Sequence, residues 1–257
     1  MKAVILAGGL GTRMREETEF RPKPMVEIGG KPILWHLMKI LSSQGIRQFV
    51  VCTGYRGDVI RDYFYNYSFR NLDFTTRLEG MGQVKFHGSH GESDWEVTIA
   101  DTGPLTMTGG RVKKIQKYIG DERFLLTYGD GLANVDLSAL VKKHEELRST
   151  LTITTTRPTS RFGVVSKDAS GKVIEFLEKP PSSEDVNIGY MIAEPDLFSL
   201  LRSDDVLEER PLRHLAKKGK LGSFHHDGFW QPMDTQRESQ ILNDLWAKES
   251  APWKLWE

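Results

Sequence analysis

A glycine-rich segment near the beginning of the chain has the composition of a loop that binds phosphate groups. Residues Gly8–Arg13 have the sequence GGLGTR and follow the apolar run Ala3–Ala7. Glycines let the backbone approach a ligand closely, loop N–H groups can surround phosphate oxygens, and Arg13 adds a permanent positive charge. Dinucleotide-binding and Walker A patterns are excluded, because Met14 stands in place of the third glycine and no lysine follows Gly11. A flexible turn is an equally good interpretation of these residues alone.

A lysine and two aspartates further along the chain could complete a site for polyphosphate. Lys23 lies between two prolines that favour extended backbone, so it could reach back to the glycines, although a solvated loop lysine is the more ordinary interpretation. Asp130 follows the apolar strand predicted over 124–128, and ligands bind at the carboxyl ends of strands in open α/β sheets. Asp234 precedes the helix predicted over 236–246, whose N-terminus favours a charged carboxylate. Thr235 and Glu238 make a capping-box pattern at the start of this helix.

Two carboxylates beside phosphates suit Mg²⁺, which commonly takes only one or two protein carboxylates and completes its shell with phosphate and water oxygens. The alternatives are structural, namely a routine Asp-Gly turn at Asp130 and a first-turn carboxylate at Asp234. His225 and His226 have no partners at the spacing of a zinc site.

Two other polar segments could contact a ligand. Thr108 is a plausible N-cap of a helix over 111–119, whose free N–H groups could bind a ligand or could simply be capped. Glu178 and Lys179 follow a predicted strand and could hold a polyol hydroxyl and a phosphate, but a surface ion pair explains them equally well.

The order of the predicted elements is typical of an α/β fold with a parallel sheet between helices. A strand over 3–7 is followed by a helix over 33–41, a strand over 46–52 and a helix over 57–67. The segment 161–193 alternates in a way that predicts a smaller antiparallel portion. His36 is predicted at the helix surface or the core edge. We therefore expect a Rossmann-like, mostly parallel central sheet.

The composition of the 257-residue chain restricts its partners and location. Lys plus Arg and Asp plus Glu both number 35, which argues against nucleic-acid binding through bulk positive charge. Apolar runs are too short for a membrane span or a signal segment. The lone cysteine, Cys52, lies in an apolar run, is predicted in the core and fits a reducing cytosol, so we predict a cytoplasmic protein.

Taken together, these motifs resemble the signature of the sugar-phosphate nucleotidylyltransferases. The resemblance lies in Gly8–Arg13 and Thr18, followed by Lys23-Pro24. The likeness covers essentially the whole chain. Three further motifs are similar to those of the glucose-1-phosphate cytidylyltransferases: DTGPLTMTGGR at 101–111, TYGDG at 127–131, and GFWQPMDT at 228–235 with APWK at 251–254.

The resemblance implies transfer of a cytidylyl group from CTP to a sugar 1-phosphate, most simply glucose 1-phosphate, with Mg²⁺ as cofactor. It implies one domain, with nucleotide binding by about 1–157 and sugar binding by about 158–257. The implied catalytic residues are Arg13, Lys23, Asp130 and Asp234, of which Asp130 and Asp234 would hold the metal. The implied nucleotide-binding residues are Leu6, Ala7, Gly8, Gly9, Leu10, Gly11, Thr12, Arg13, Lys23, Thr106, Thr108, Gly109, Gly110, Tyr128 and Gly129. The implied sugar-phosphate-binding residues are Gly163, Glu178, Lys179, Asn187 and Gly189.

One departure from the family pattern leaves the acceptor open. Asn187-Ile188-Gly189-Tyr190 stands where a glycine-richer Asn-Gly-Gly segment is expected for glucose. Ile188 could point away from the sugar or reshape its pocket, so another phosphorylated acceptor is an alternative. Another nucleoside triphosphate and a non-catalytic regulatory subunit are separate alternatives, although the presence of Lys23, Asp130 and Asp234 argues against the regulatory subunit. The tryptophan-rich tail after Trp246 could pack on its own core or on another subunit, and we expect a homo-oligomer.

Overall fold

The structure is a computed structural model that describes residues 1–79, 83–160 and 162–256, with the side chains in those ranges other than those of residues 13, 15 and 16. The strands are β1 (Lys2–Ala7), β2 (Glu27–Ile28), β3 (Lys31–Pro32), β4 (Gln48–Thr53), β5 (Asp73–Thr76), β6 (Val84–His87), β7 (Glu96–Asp101), β8 (Phe124–Tyr128), β9 (Gly131–Ala133), β10 (Leu151–Thr156), β11 (Val164–Lys167), β12 (Val173–Leu177), β13 (Val186–Asn187), β14 (Met191–Ala193), β15 (Leu221–His225) and β16 (Trp230–Pro232).

The helices pack around these strands. They are α1 (Arg15–Thr18), α2 (Ile33–Ser43), α3 (Gly57–Tyr65), α4 (Tyr67–Asn71), α5 (Thr108–Lys114), α6 (Gln116–Ile119), α7 (Leu137–Leu147), α8 (Leu197–Leu200), α9 (Arg210–Lys217) and α10 (Gln236–Ala247). Two 3-10 turns cover Thr12–Met14 and Lys23–Met25. Each described helix lacks the length and apolar character that a bilayer crossing requires.

Eight strands of the described chain form one central sheet, which confirms the predicted α/β class with a mostly parallel sheet. Its order is β15-β10-β14-β8-β1-β4-β7, and β13 pairs with β10 on the same side as β14. Strands β7, β4, β1 and β8 run parallel, whereas β14 runs antiparallel to both β8 and β10. The strands from 186–225 belong to this same sheet, and β11 with β12 forms a separate antiparallel hairpin.

The apolar run of β1 lies at the centre of the sheet and contributes to a core on each face. Ala3, Ile5 and Ala7 belong to one cluster, together with residues of α2 and α10, while Val4 and Leu6 belong to the other, together with residues of α5 and α9. Because adjacent strand residues point to opposite faces, a strand covered on both sides is apolar throughout. This burial fixes the carboxyl end of β1, where the glycines begin.

Short-range sequence patterns predicted the positions of helices and strands well, although several observed boundaries differ from the predicted ones. The helix predicted over 33–41 is α2, and Gly45 beyond its end has a φ of 92°, as expected for a glycine at that position. The helices predicted over 57–67 and 111–119 are each divided in two, at Asn66 and at Ile115. Cys52 is buried as predicted.

The prediction for His36 was wrong, because this side chain is fully buried. The indole N–H of Trp253 donates to its Nδ1 (3.4 Å), so the ring proton lies on Nε2, which donates to the carbonyl oxygen of Ile28 (2.8 Å). The rings of Trp35 and Trp246 pack against it at centroid distances of 5.0 and 4.6 Å. The C-terminal tail therefore packs on its own core, and it is this long-range contact that covers His36.

Burial lowers the pKa of His36 to about 4. Since the unfolded chain binds a proton at this residue near pH 6.5, its contribution to stability is complete above that pH and is lost as the pH falls toward 4. We expect the wild type to lose about 2 kcal/mol more unfolding free energy than His36→Gln between pH 7 and pH 5. Urea denaturation at both pH values measures the difference.

Two features make this comparison specific. His144, whose pKa burial also lowers, is present in both proteins and cancels. The control His214→Gln removes an exposed histidine of α9 and is expected to leave the pH profile of the wild type unchanged. Parallel profiles for wild type and His36→Gln would contradict the prediction.

Candidate active site

A cavity of about 520 Å³ opens at the carboxyl ends of β1 and β8, a volume suited to a small-molecule ligand. It brings together five separate segments of the chain that the sequence had singled out. Its lining consists of Leu6, Ala7, Gly8, Gly9, Leu10, Gly11, Thr12, Met14, Lys23, Pro24, Pro104, Leu105, Thr106, Met107, Thr108, Arg111, Tyr128, Asp130 and Asp234.

A larger cavity, of about 740 Å³, lies against the edge strand β7. Its lining combines aromatic residues such as Tyr67 and Trp95 with charged ones such as Arg61 and Glu92, and it contains neither the glycines of residues 8–11 nor Lys23. Volume alone does not identify an active site, so the cavity that holds the charged and glycine-rich segments is the better candidate.

The glycine loop, defined as Gly8–Arg13, leaves the end of β1 and enters a 3-10 turn. Gly11 has a φ of 64°, and a Cβ there would lie 2.8 Å from the methyl group of Thr18. The hydroxyl of Thr18 donates to the carbonyl oxygens of Gly11 (3.0 Å) and Met14 (2.9 Å). These contacts hold the curve of the loop. The Arg13 side chain lies outside the described part of the structure, so its predicted role stays a prediction.

Lys23 is buried, contrary to the interpretation as a solvated loop lysine. Pro22 precedes the 3-10 turn that carries it, and its ammonium donates to Asp130 Oδ2 at 2.7 Å and to Asp234 Oδ1. Its side chain is 10% exposed, against 36% for Asp130 and 26% for Asp234. Burial by itself would lower the pKa of Lys23, but the two carboxylates outweigh it and raise the pKa above its ordinary value.

Asp130 and Asp234 come together through a short antiparallel ladder. Gly131 of β9 pairs with Pro232 of β16, and the N–H of Met233 donates to the carbonyl oxygen of Asp130 at 2.9 Å. These contacts carry the two aspartates, one before β9 and one after β16, to the same cavity.

The predicted capping box at the start of α10 is confirmed and fixes the backbone around Asp234. Glu238 accepts hydrogen bonds from the N–H groups of Asp234 (2.7 Å) and Thr235 (2.9 Å), and Thr235 caps the helix in return. The positive end of the helix favours the charged form of a carboxylate at this position.

The donor set near Lys23 fits Mg²⁺ only in part. In the described ranges, no group of three or more His, Cys, Asp and Glu side chains could hold a metal ion. Asp130 and Asp234 both pair with the Lys23 ammonium, so this position already holds positive charge. Two carboxylates suit Mg²⁺ when phosphates and water supply its other oxygens.

Arg111 was overlooked from sequence and is the most connected side chain of the cavity wall. It is 4% exposed, and its guanidinium donates to the carbonyl oxygens of Gly8 (2.8 Å), Thr53 (3.0 Å) and Gly103 (2.8 Å) and to the hydroxyl of Thr102 (2.6 Å). Burial lowers the pKa of Arg111, but arginine stays charged in proteins. The sequence feature that could have identified Arg111 is its position next to the apolar residues of a predicted helix.

The prediction that Thr108 caps α5 was wrong, because Met107 is the N-cap and Thr108 is the first helical residue. Its hydroxyl donates to Glu208 (2.7 Å) and accepts from the N–H of Leu207 (2.9 Å). Thr106 likewise donates to the carbonyl oxygen of Thr102 (2.5 Å). Both hydroxyl protons are therefore committed to the protein, although both residues line the cavity.

Gly109, Gly110 and Gly129 were predicted to contact the nucleotide, but they are not among the residues that line the cavity. A Cβ at Gly109 would lie 2.8 Å from Asp205, and one at Gly110 would lie 2.2 Å from the carbonyl oxygen of Ser203. A Cβ at Gly129 would lie 3.1 Å from the carbonyl oxygen of Leu6, which is also a tight contact. Close backbone packing thus accounts for all three glycines.

The side chain of Ile188, which departs from the family pattern, points into the core. Ile188 and Tyr190 are 5% and 1% exposed and pack in the core. Gly189 lies between them with a φ of 83°, and a Cβ there would lie 3.0 Å from the ring of Tyr128. Asn187 also lies close to the hydroxyl of Tyr128, which lines the cavity. Asn187 and Gly189 thus adjoin the cavity through Tyr128, and Ile188 points away from it.

The remaining predicted residues lie at the hairpin formed by β11 and β12. The side chains of Glu178 and Lys179 are 63% and 55% exposed, form an ion pair of 3.5 Å, and do not line the cavity. A Cβ at Gly163 would lie 2.5 Å from the ring of Phe176. The structure therefore does not bring these three residues to the glycine loop.

Arg111 gives a test of the loop geometry. A Cβ at Gly8 would lie 2.2 Å from Arg111 Nη1, a group held in place by several hydrogen bonds, whereas a Cβ at Gly9 would meet no atom within 4 Å. We expect Gly8→Ala to lower the free energy of unfolding by about 1–3 kcal/mol and Gly9→Ala to change it by less than about 0.5 kcal/mol. Urea denaturation measures both, and equal effects would contradict this account of Arg111.

Comparisons with known proteins identify the family of this chain. The nucleotidyl transferase family model matches residues 2–218. The chain is 48% identical over 260 residues to a glucose-1-phosphate cytidylyltransferase of Salmonella typhi and 40% identical over 258 residues to a Bacillus subtilis protein described as "Probable glucose-1-phosphate cytidylyltransferase", and each alignment covers both chains completely. HddC of Yersinia pseudotuberculosis has the same fold, with a TM-score of 0.69 at 23% identity over 95% of this chain and 99% of its own. The resemblance seen in the motifs is thereby confirmed, and this chain belongs to the nucleotidyl transferase family.

Proposed function

We propose that this protein transfers a cytidylyl group from CTP to a sugar 1-phosphate, with glucose 1-phosphate as the first choice, and releases pyrophosphate. The observation that carries the proposal is the convergence of the glycine loop, Lys23, Asp130 and Asp234 in one cavity. The choice of CTP and glucose 1-phosphate is supported by the names of full-length relatives at 48% and 40% identity.

On the nucleotide side, the glycine loop surrounds the triphosphate with backbone N–H groups, and Arg13 and Lys23 neutralise its charge. Residues 104–108 form another part of the cavity wall and contact the base. Because the hydroxyl protons of Thr106 and Thr108 are committed to other partners, the hydrogen-bond donors that this wall can offer the base are backbone N–H groups.

Asp130 and Asp234 would hold Mg²⁺ together with phosphate oxygens. When bound, the metal would neutralise negative charge on the phosphates and help to orient them. The two carboxylates, the capping box behind Asp234 and the ladder between β9 and β16 are the chain's own contribution to this arrangement.

On the acceptor side, Asn187 and Gly189 lie next to the sugar. From the hairpin outside the cavity, Glu178 accepts a hydrogen bond from a sugar hydroxyl, and Lys179 binds the sugar phosphate together with the backbone at Gly163. The proximity of Asn187 and Gly189 to Tyr128 supports this assignment. The burial of Ile188 supports glucose 1-phosphate, because the bulky residue leaves the acceptor space unchanged.

The reaction needs positioning and charge neutralisation rather than a general base. A phosphate monoester has a second pKa of about 6, so the attacking oxygen is already anionic at neutral pH. It attacks the α-phosphorus of CTP, and pyrophosphate leaves on the opposite side. Lys23 and the loop N–H groups stabilise the charge that develops on the phosphates.

The division into a nucleotide-binding part over 1–157 and a sugar-binding part over 158–257 belongs to the same proposal. Asp234 lies in the second part but contributes to the nucleotide site. The homo-oligomer also stays a prediction. It is supported by exposed apolar side chains on the β11–β12 hairpin, including Val173, Ile174 and Phe176, since such patches are typical of contacts with another chain.

A pyrophosphate-release assay tests the function. We expect the purified protein to release pyrophosphate from CTP with glucose 1-phosphate, and to do so much more slowly with UTP or dTTP. A panel of other sugar 1-phosphates tests the acceptor. A preference for another triphosphate or sugar would revise the substrate, whereas CTP binding without release from any acceptor would favour a regulatory subunit.

Lys23 is the most informative single residue. We expect Lys23→Ala to lower kcat/KM for CTP by the equivalent of about 2–4 kcal/mol of transition-state stabilisation, because a charged donor to the phosphates is lost. Lys117→Ala, which removes an exposed lysine of α6, is the matched control and should retain normal activity. Near-normal turnover in a folded Lys23→Ala protein would contradict the assignment.

A further inference from the structure

Lys23 has a second relationship with the site, which concerns the protein before substrate binds. Its ammonium lies between Asp130 and Asp234 and donates a hydrogen bond to each. Two carboxylates that converge in a partly buried position repel each other unless a positive charge separates them. In this structure the Lys23 ammonium supplies that charge.

We propose that Lys23 is the resident cation of the two carboxylates and must be exchanged for the divalent metal when the triphosphate enters. The proposal rests on the proposed function, since it takes Asp130 and Asp234 as the metal ligands. It adds that metal and triphosphate bind as a coupled pair, and that the metal alone binds poorly.

Competition for the same oxygens supports the exchange. A metal that binds both Asp130 Oδ2 and Asp234 Oδ1 would approach the ammonium that now donates to those atoms. Mg²⁺ and similar ions bind carboxylate oxygens at about 2.0–2.1 Å, so the two positive charges would repel strongly. Lys23 must therefore move before the metal can bind both carboxylates.

The triphosphate provides the place to which Lys23 moves. Lys23 and the glycine loop line the same cavity, so the ammonium can turn from the carboxylates to phosphate oxygens without leaving it. The triphosphate also supplies oxygens that the metal needs beyond the two carboxylates. Each partner thus favours binding of the other, and thermodynamic linkage makes the coupling reciprocal.

Mn²⁺ binding to the full-length protein without nucleotide tests the exchange directly. Electron paramagnetic resonance of free Mn²⁺ would give the affinity of the wild type and of Lys23→Gln, which keeps a hydrogen-bond donor but removes the charge. We expect Lys23→Gln to bind Mn²⁺ about tenfold or more tightly than the wild type, within the usual range of coupling between sites. Equal affinities would overturn the proposal.

Lys39→Met is the matched control, because Lys39 is a comparably buried lysine that pairs with Glu92 at 3.2 Å, away from the cavity. Its Mn²⁺ affinity should equal that of the wild type.

If Lys23→Gln fails to fold, thermal melting of the wild type tests the exchange instead. Mn²⁺ alone should leave Tm unchanged, and Mn²⁺ with pyrophosphate should raise it more than pyrophosphate does. A large rise with Mn²⁺ alone would overturn the proposal.

The outcome is separable from that of the proposed function. Tighter Mn²⁺ binding by Lys23→Gln in a protein that releases no pyrophosphate from any substrate would support the exchange and refute the transferase. Normal pyrophosphate release together with equal Mn²⁺ affinities would refute the exchange alone.

Discussion

Two carboxylates that share one position at the end of a sheet require a positive charge between them, and the candidate site is built around this requirement. Asp130, Asp234 and Lys23 come from a strand end, a helix N-terminus and a 3-10 turn. The prolines beside Lys23 and the ladder that joins Asp130 to Met233 hold these groups in place. The arrangement concentrates charge where a triphosphate and a metal would bind.

A second buried charge shapes another part of the cavity wall. Arg111 lies in α5 and joins the end of β4, the glycine loop and the residues after β7 through hydrogen bonds to Gly8, Thr53 and Gly103. Because carbonyl oxygens carry only partial charge, several are needed to replace the water that a guanidinium loses on burial. The loop backbone is therefore fixed by the helix before any ligand arrives.

The packing of the C-terminal tail also affects the candidate site, because the tail packs together with α10. This helix begins next to Asp234, and near its other end Trp246 packs on His36 and against Gly29. Trp253 extends the contact and is fully buried. The aromatic tail therefore holds the helix whose N-terminus carries one of the two carboxylates, which connects core packing to the chemistry of the cavity.

The sequence by itself determined what depends on neighbouring residues: the glycine loop, the strand end before Asp130 and the capping box after Asp234. The likeness of these motifs to a known family added the activity. Only the tertiary structure decided that Lys23 is buried between two carboxylates, that Arg111 fixes the loop and that Ile188 faces the core. The physical reason is that burial and ion pairing arise from residues far apart along the chain, whereas turns, caps and periodicity arise within a few positions.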